Sequence, residues 1–417
     1  MISMQINDVI ELEIEKLDHQ GRGISKSNGY VFFIPHALPG ERVFARVEKI
    51  KKNIVNANVE KFITLSKDRV NSICPYFEKC GGCDLLHLSY LNQTIFKENK
   101  VKEIMNKFCT CKFKINSIIK CDNSLFYRNK VTFQVDNNIG FYEKGTNKIV
   151  SIDNCKIVNE RVNKLLNILN NNELIEGINK IVIRNNLNNQ LLLIIESENE
   201  FNKNKFIESV SKYIDSIVIN NEVIKGEGRI IENLGEYKFI ISPDSFFQVN
   251  TKQTVNLYNK IREYADLNKD EILLDLYCGT GTIGIYLSDN CKKVIGIEIN
   301  KSAVKDANEN KKINNISNID FICGDALKEI KKLNINPDVI VVDPPRAGLD
   351  KKDIDNIFKL NANKIVYVSC DPVTLARDLN ILGNKYNIIE LTPVDMFPNT
   401  SHVECVCYMI KNKRSKE

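Results

Sequence analysis

Long apolar runs and targeting signals are missing from this sequence of 417 residues. No run approaches the roughly eighteen uninterrupted apolar residues that indicate a membrane-spanning helix, so no membrane span is expected. The segment from Met1 to Lys16 is acidic and mixed, unlike a secretory signal peptide. Internal repeats and low-complexity linkers are also missing. We therefore expect a cytoplasmic protein without membrane contact.

An excess of charge of one sign is lacking as well. Lys and Arg number 58 against 53 Asp and Glu, so the net charge is only +5. This balance is weak evidence for a nucleic-acid partner, and the local distribution of charge matters more. The thirteen cysteines cannot all pair because their number is odd. A reducing compartment also keeps thiols unpaired, so the cysteines need an explanation other than disulfides.

Composition and length indicate a folded chain of several domains. Hydrophobic residues make up 43% and charged residues 27%, which excludes a mostly disordered chain. The length favours two or three domains. Near the N-terminus, β-rich runs separated by glycine turns predict a small barrel; the runs are Val9–Leu17, Tyr30–Ile34, Arg42–Ile50 and Ile54–Ile63.

A helix and a mixed region follow the predicted barrel. The residues from Ser89 to Phe108 have helical periodicity. The mixed region runs from Lys112 to about Lys238, and its predicted strands are Lys130–Val135, Lys180–Arg184 and Gln190–Ile195.

From about Asp270 short apolar runs alternate with helical stretches. This order predicts an α/β domain with a parallel, doubly wound sheet; the runs are Ile272–Leu276, Val294–Glu298, Ile319–Ile322, Val339–Asp343 and Lys364–Val368. Two later runs, Tyr386–Val394 and Val403–Ile410, have no helix between them. We expect these two to form an antiparallel hairpin at one edge of the sheet.

A glycine-rich turn after the first of these strands predicts a nucleotide site. Gly279, Gly281 and Gly284 stand between a buried strand and a helix start, where exposed N–H groups can meet a ligand. Glu298 ends the next strand, nineteen residues after Gly279, where a carboxylate can accept hydrogen bonds from ribose hydroxyls. The spacing also fits the dinucleotide fingerprint, so a nicotinamide cofactor is an alternative.

Two further features favour S-adenosylmethionine over a nicotinamide cofactor. Asp343, in Asp-Pro-Pro-Arg, ends the fourth strand, and ligands bind outside that end of such a sheet. Cys370 comes just after the fifth strand and before Pro372, so a helix N-terminus is expected to favour its thiolate. Glu404 stands in an apolar run, where a carboxyl group with a raised pKa can serve as a base. A dehydrogenase needs neither the Asp-Pro-Pro-Arg segment at Asp343 nor a cysteine at position 370.

Several motifs together resemble the RNA uracil-5-methyltransferases, which make 5-methyluridine in ribosomal and transfer RNA. The resemblance covers nearly the whole chain, and its elements are Phe247-Gln248-Val249-Asn250, Asp275-Leu276-Tyr277-Cys278-Gly279, Asp343-Pro344-Pro345-Arg346, Ser369-Cys370-Asp371-Pro372 and His402-Val403-Glu404. It implies Cys370 as nucleophile and Glu404 as base. It also implies methyl-donor contacts from Gln248, Tyr277, Glu298 and Asp343, beside the turn glycines Gly279 and Gly281, with Asp325 as a further candidate near the adenine.

The chemistry implied by this resemblance needs both catalytic residues. Carbon 5 of uracil is a poor nucleophile until a thiolate adds to carbon 6. Cys370 would form that covalent adduct, and Glu404 would remove the carbon 5 proton after methylation. The reacting base must leave its stack, so a loop or flipped nucleotide is the expected substrate.

A cysteine-rich loop adds a metal-site prediction. Cys74, Cys80 and Cys83 lie in one loop with Gly81 and Gly82 between the last two. A fourth thiol is needed for a complete site, and by resemblance to the family it is Cys155. Four thiolates suit zinc or an iron–sulfur cluster, and the resemblance implies [4Fe-4S].

The same resemblance predicts three parts. Residues 1–65 are similar to a TRAM domain, an RNA-binding barrel of the OB type; residues 66–238 form a central α+β iron–sulfur and RNA-binding domain; residues 239–417 form the Rossmann-like methyltransferase domain, which the helix at 89–108 joins. Phosphate contacts are expected from Arg42 and Arg46, from Arg128, and from the basic segment Lys97–Lys120.

The expected partner is RNA, with 23S ribosomal RNA favoured over transfer RNA, and the expected state is a monomer. A non-catalytic RNA-binding protein with a methyltransferase fold is the other alternative.

Overall fold

The computed structural model describes residues 4–332 and 335–412. The chain divides into two compact units: one comprises Met1–Lys100, Phe141–Val150 and Phe397–His402, and the other comprises Val101–Gly140, Ser151–Met396 and Val403–Glu417. The predicted domain limits at 65 and 238 stay predictions, and residues 1–3, 333–334 and 413–417 within those domains lie outside the described residues. None of the described helices is long and apolar enough to cross a membrane.

A six-stranded barrel-like sheet opens the first unit. Its strands are β1 (Val9–Glu13), β2 (Lys16–Leu17), β3 (Gly23–Ser27), β4 (Tyr30–Ile34), β5 (Arg42–Lys51) and β6 (Ile54–Thr64), in the order β1-β5-β6-β4-β3-β2. Alternating residues of β5 point inward, and Val43, Ala45 and Val47 join a buried core with Phe32. This alternation is what the period of two residues in a half-buried strand requires.

The structure interrupts the strand predicted over Val9–Leu17. Ile14 leaves the ladder because its N–H donates to the Glu41 carbonyl, while its own carbonyl accepts from Gly40 N, both over 2.9 Å. The chain then resumes as β2. The sequence pattern also missed β3, whose residues Gly-Ile-Ser-Lys-Ser contain little apolar surface.

The helix predicted near Ser89–Phe108 is present as α1 (Tyr90–Phe108), followed by the short strand β7 (Lys114–Ile115). From its C-terminal half, Val101, Ile104 and Met105 are buried in the main hydrophobic core of the second unit. That half of the helix therefore packs with the α/β sheet described below.

A second sheet has the order β10-β9-β8-β11-β12-β13-β14, and β15 and β16 form a separate hairpin. The strands are β8 (Lys130–Asp136), β9 (Asn138–Tyr142), β10 (Ile149–Ser151), β11 (Lys180–Asn185), β12 (Leu191–Glu196), β13 (Ser216–Ile219), β14 (Glu222–Lys225), β15 (Ile230–Leu234) and β16 (Tyr237–Ile241). The helices of this region are α2 (Glu160–Leu169), α3 (Asn172–Ile175) and α4 (Lys203–Val210), with a 3-10 turn at Ser211–Tyr213.

The remaining described elements build the α/β part. They are α5 (Thr251–Ala265), β17 (Ile272–Leu276), α6 (Thr282–Leu287), a 3-10 turn at Ser288–Asn290, β18 (Lys293–Glu298), α7 (Lys301–Ile313), β19 (Ile319–Cys323), α8 (Ala326–Lys332), β20 (Val339–Val342), α9 (Lys351–Leu360), β21 (Lys364–Ser369), α10 (Pro372–Leu382), β22 (Tyr386–Val394) and β23 (Glu404–Lys411). The sheet order is β19-β18-β17-β20-β21-β23-β22-β7.

This order places a crevice at the carboxyl ends of β17 and β20. The chain runs outward from β17 through β18 to β19, then returns to the other side of β17 for β20 and β21, all parallel. Such a reversal is where open α/β sheets bind ligands. β22 and β23 pair antiparallel as predicted, but they do not form the edge, because β7 pairs with β22 through Glu390 and Leu391.

Candidate active site

The glycine turn begins directly after the buried strand β17. Tyr277 has a positive φ of 63°, which is uncommon for a bulky residue and marks a locally strained backbone. Gly281 has φ 78° and is the N-cap of α6. The turn thus starts α6 within six residues of the end of β17, and the first N–H groups of this helix have no intrahelical partner.

The glycines of the turn serve different purposes. A Cβ at Gly281 would overlap the ring of Phe321, and one at Gly284 would come within 3.1 Å of the Asp275 carboxylate. A Cβ at Gly279 would meet no heavy atom within 4 Å. Gly281 and Gly284 are therefore required by packing, whereas Gly279 borders open space into which a ligand can approach.

These differences predict distinct outcomes for two alanine substitutions. Gly281→Ala should lower the melting temperature strongly, because the new Cβ overlaps Phe321. Gly279→Ala should cost only the roughly 1–2 kcal/mol of a left-handed alanine, yet weaken S-adenosylhomocysteine binding at least about tenfold, because the Cβ fills the open space. Thermal unfolding and calorimetric titration of both variants test this pair. Equal losses of stability, or unchanged affinity in Gly279→Ala, would contradict it.

Carboxylates surround this turn. Glu298, at the end of β18, accepts hydrogen bonds from Gly279 N over 3.1 Å and from Asn300 N over 2.8 Å. Asp325 accepts from Lys328 N over 3.1 Å at the start of α8. Both acids predicted to contact the cofactor therefore lie at strand ends with their side chains held by neighbouring backbone.

Asp275 is a further acid, and the sequence reasoning assigned it no role. It is fully buried in β17; its Oδ2 accepts from Gly284 N over 2.9 Å, and its Oδ1 has no hydrogen-bond partner within the described residues. Burial raises the pKa of this carboxyl to about 8. A single acid inside the apolar run Leu-Leu-Asp-Leu was the available sequence signal.

Two other predicted cofactor contacts border the same region. Tyr277 is half-buried, and a hydrogen bond joins its hydroxyl to the Asp353 carboxylate. Gln248 is 7% exposed, and its backbone carbonyl accepts from Asn129 Nδ2 over 2.9 Å. Two residues before Gln248, Phe246 is 66% exposed, and its carbonyl accepts a hydrogen bond from Thr280 Oγ1 over 3.4 Å.

The structure brings Cys370, Glu404 and Asp343 together at one edge of the sheet. Ser369 of β21 pairs with Cys405 of β23, and these strands are antiparallel, so Cys370 and Glu404 are opposite each other. Asp343 follows β20, the parallel neighbour of β21. Three groups that are far apart in the sequence thereby become electrostatic neighbours.

Burial and mutual repulsion set the protonation states of these three groups. Burial raises the pKa of Glu404 to about 8, with a further contribution from Asp343. Burial alone raises the pKa of Asp343 to about 7. The pKa of Cys370 is raised to about 12, first by burial and then by the negative charges of Glu404 and Asp343.

The expectation that the helix N-terminus favours the Cys370 thiolate is therefore wrong. Asp371 is the N-cap of α10, and its carboxylate accepts from Val373 N over 2.8 Å and from Thr374 N over 3.3 Å. This acid therefore occupies N–H groups at the helix start, and its own negative charge adds to the raised pKa of Cys370. With a pKa of about 12, the Cys370 thiol is protonated near neutral pH.

The four predicted metal ligands are all half-buried cysteines. In the first unit, Cys80 Sγ accepts a hydrogen bond from Gly82 N over 3.4 Å, and burial raises the pKa of the Cys80 thiol, with a smaller effect from Cys74. Cys155 belongs to the second unit, where the Asn163 amide bonds its backbone on both sides. Over residues 4–332 and 335–412, no three Cys, His, Asp or Glu side chains are arranged to hold a metal ion. Within the first unit, Cys74, Cys80 and Cys83 therefore do not form such a group among the described residues.

Several of the basic residues predicted to face RNA have structural partners. Arg42 is paired with Glu11, and Arg46 with Glu60 over 2.8 Å. Lys97 is fully buried and donates to the Phe397 carbonyl over 2.8 Å. Lys97–Lys120 contains seven lysines and two acids, and this positive charge is therefore not all available to phosphates.

The Arg128 side chain also has a structural partner, because its Nε donates a hydrogen bond to the Lys130 carbonyl over 2.9 Å.

Comparison with known proteins agrees with this arrangement. The model of the tRNA (uracil-5-)-methyltransferase family matches residues 89–412, and that of the TRAM domain matches residues 4–59. A protein of Clostridium acetobutylicum described as an uncharacterized RNA methyltransferase is 38% identical, over 97% of this chain and 98% of that protein. A protein of Clostridium tetani with the same description is 36% identical, over 98% of this chain and 97% of its own length.

A solved structure is similar over almost the whole chain. The Pyrococcus abyssi tRNA (uracil-54, C5)-methyltransferase in complex with S-adenosyl-L-homocysteine has a TM-score of 0.78 and 29% identity, and the match covers 96% of this chain and 99% of that one. Fold and site thus define an S-adenosylmethionine-dependent RNA methyltransferase with an N-terminal TRAM region. More specifically, the chain belongs to the tRNA (uracil-5-)-methyltransferase family. The predicted fold class, enzyme class and methyl donor are confirmed, whereas an iron–sulfur domain is not shown.

Proposed function

We propose that this enzyme methylates carbon 5 of a specific uridine in 23S ribosomal RNA through a covalent intermediate on Cys370. The observation that supports this most strongly is the register of β21 and β23, which sets Cys370 opposite Glu404. The residues proposed as nucleophile and base thereby lie side by side at the sheet edge that borders the cofactor turn. Packing alone does not require a thiol facing a buried carboxyl group.

In the proposed reaction, Cys370 loses its thiol proton to water, and the thiolate attacks carbon 6 of uracil. The electron pair of the 5,6 double bond then shifts to form an enolate. Carbon 5 then takes the sulfonium methyl group of S-adenosylmethionine, and S-adenosylhomocysteine leaves as the bond between sulfur and the methyl group breaks. Glu404 then removes the proton from carbon 5, and the resulting electron pair re-forms the double bond as the bond to Cys370 Sγ breaks. The carboxylate must be ionised for this step, and its pKa of about 8 suits a base that acts near neutral pH.

The residues of the turn fit the methyl donor. The open space at Gly279 admits a ligand, and the buried Asp275 Oδ1 has no hydrogen-bond partner within the described residues. We propose that Gln248, Tyr277 and Asp343, with the turn glycines, hold the methionine side of the donor. Glu298 would bind the ribose hydroxyls, and Asp325 would lie near the adenine.

The choice of ribosomal RNA follows the family members with a barrel and a cysteine cluster. A transfer RNA uridine is the second candidate, because the similar Pyrococcus abyssi structure is that of a transfer RNA methyltransferase. Mass spectrometry of ribosomal and transfer RNA fragments from strains with and without the gene decides between them. We expect one 5-methyluridine to disappear from 23S RNA. Loss from transfer RNA alone would contradict the ribosomal assignment, and loss from neither would contradict the proposed function.

An iron–sulfur cluster on Cys74, Cys80, Cys83 and Cys155 stays a prediction from the sequence, and no catalytic step above depends on it. Four thiolates are a suitable donor set for [4Fe-4S]. Protein purified without oxygen should contain four iron and four sulfide per chain and absorb visible light, and Cys83→Ala should lose both. Stoichiometric zinc, or no metal at all, would contradict the prediction.

The division into a TRAM-like part, a central part and a methyltransferase part, and the monomeric state, are proposed on the same family basis.

A further inference from the structure

A cavity of about 270 Å³ lies in the second unit, beside α5. Asparagine and glutamine account for many of its lining residues. Its volume is below the roughly 300–1,000 Å³ of sites for drug-sized ligands, so it suits a single small ring system. None of its lining residues is among those assigned above to the methyl donor or to the covalent chemistry.

The floor of the cavity is a preorganised polar network. Asn129 Nδ2 donates to the Gln248 carbonyl and to Thr251 Oγ1, each over 2.9 Å. Thr251 Oγ1 donates over 2.7 Å to Glu232, whose other carboxylate oxygen accepts from Leu187 N over 3.1 Å. Because these groups satisfy one another, the floor holds its shape without a ligand.

One amide of this cavity has no partner. Asn185 is only 8% exposed and lines the cavity, yet its side chain has no hydrogen-bond partner within the described residues. The next residue, Asn186, donates to Gln190 Oε1 over 2.7 Å and to the Ile231 carbonyl over 2.6 Å. Because no neighbouring side chain occupies this amide, Asn185 is available to a ligand that offers both a donor and an acceptor.

An exposed aromatic ring borders the same cavity. Phe126 is 40% exposed and has φ 53°, a left-handed conformation that is unusual for a bulky residue. Its N–H donates to the Lys156 carbonyl over 3.0 Å, which holds the strained segment in place. Backbone strain of this kind persists where the surrounding structure enforces it, often at ligand sites. Lys252 and Asp122 are exposed residues that also line the cavity.

We propose that this cavity receives a second nucleobase of the RNA substrate, taken out of its stack beside the target uridine. Asn185 reads the hydrogen-bonding edge of that base, and Phe126 stacks on its face. Single-stranded RNA is recognised by this combination of amide contacts and aromatic stacking. The segment Gln248–Asn250 connects the two sites, since Gln248 is a proposed methyl-donor contact and Asn250 lines the cavity. The inference rests on the proposed action on RNA and adds a determinant of substrate choice.

Two substitutions test the cavity in the full-length enzyme. Asn185→Leu keeps the size of the side chain but removes its hydrogen bonds, and Phe126→Ala removes the stacking surface. Each should lower kcat/KM for total RNA from a strain lacking the gene by roughly ten- to a hundredfold, the range expected for one base contact. Affinity for S-adenosylhomocysteine and melting temperature should stay unchanged. Ile313→Ala, which also shortens a partly exposed apolar side chain, should retain the wild-type rate.

If kcat/KM for RNA in Asn185→Leu and Phe126→Ala stays within about twofold of the wild-type value, the inference is overturned. A wild-type enzyme without methyl transfer would instead refute the proposed function, and a second measurement then decides the cavity. Irradiation with short-wavelength ultraviolet light in the presence of the same RNA should give a nucleotide adduct on Phe126, detected by peptide mass spectrometry. Adducts confined to other segments would overturn the inference, as would an adduct formed from free nucleoside monophosphates but not from RNA.

Discussion

Cys370→Ala is expected to reduce methyl transfer to RNA by at least about 10⁴-fold, because carbon 5 of uracil is not activated without addition at carbon 6. Binding of S-adenosylhomocysteine should be retained, since the glycine turn after β17 does not include Cys370. Wild-type enzyme incubated with RNA containing 5-fluorouridine should form a complex that survives denaturing electrophoresis, because fluorine cannot leave carbon 5 as a proton. Cys370→Ala should form none.

Cys111→Ala is the matched control for this experiment. Cys111 is another half-buried thiol of the second unit and lies at none of the proposed contacts. It should retain activity and trapping. A stable 5-fluorouridine complex with Cys370→Ala, or an active Cys370→Ala enzyme, would refute the assignment of the nucleophile.

Glu404→Gln is expected to stop the reaction at a later stage. Removal of a general base typically costs roughly 10²–10⁴-fold in rate. Because Cys370 is intact, attack and methylation can proceed, but the proton on carbon 5 has no acceptor. The methylated RNA should therefore remain attached to Cys370 even with ordinary uridine, whereas wild-type enzyme releases its product. Failure to accumulate this adduct, together with a normal rate, would contradict the role of Glu404.

The pH dependence provides a separate test of the same residue. Glu404 acts as a base only when ionised, and its pKa of about 8 means that lowering the pH below 8 depletes the active form. The slope of log kcat against pH on the acid side of that pKa should therefore be lower by about one in Glu404→Gln than in wild type. Ionisation of Cys370, with a pKa of about 12, contributes equally to both profiles.

Stability should change with pH in the corresponding direction. The folded-state pKa of Glu404 is raised from 4.5 to about 8, so the neutral carboxyl is favoured on folding. This contribution to the free energy of unfolding is fully present below about pH 4.5 and is lost as the pH rises through about 8. Glu404→Gln should therefore match wild type in thermal unfolding at about pH 4.5 and exceed it at a pH above about 8. If the melting temperatures of Glu404→Gln and wild type differ by the same amount at both pH values, the burial of the Glu404 charge is contradicted.

The same electrostatics explains why three acidic groups can share one site. With Asp343, Glu404 and Cys370 close together and buried, ionising all of them at once is unfavourable. Their pKa values of about 7, 8 and 12 keep most of this charge neutral near pH 7. A cationic ligand in the crevice would favour the ionised forms. We therefore expect bound S-adenosylmethionine to lower all three pKa values.

Local sequence pattern was sufficient for the parallel strands of the α/β part and for the order of the motifs. Apolar runs between helical stretches predicted β17 to β21 within one or two residues, because strand and helix periodicities depend on near neighbours. The glycine turn and the acid at the end of β18 were also readable, since a turn and its flanking strand are contiguous. Polar strands such as β3 escaped detection, because they lack the alternation on which such predictions depend.

The burial of individual side chains and the pairing of distant strands could not be predicted from local sequence pattern. The basic segment Lys97–Lys120 was expected to face RNA, yet the fold buries Lys97 completely. β7 was not predicted, because a two-residue strand has no periodicity of its own and forms only by pairing with β22. The cavity around Asn185 draws on segments from residue 121 to residue 256, and no local pattern connects them.

The sequence by itself determined which residues can perform the chemistry: the Cys370 nucleophile candidate, the Glu404 acid and the glycine turn. Only the tertiary structure decided that Cys370 and Glu404 face each other, because that depends on the antiparallel register of two strands that are distant in the sequence. It also decided their protonation states. A pKa depends on burial and on neighbouring charges in space, and these exist only once the sheet has formed.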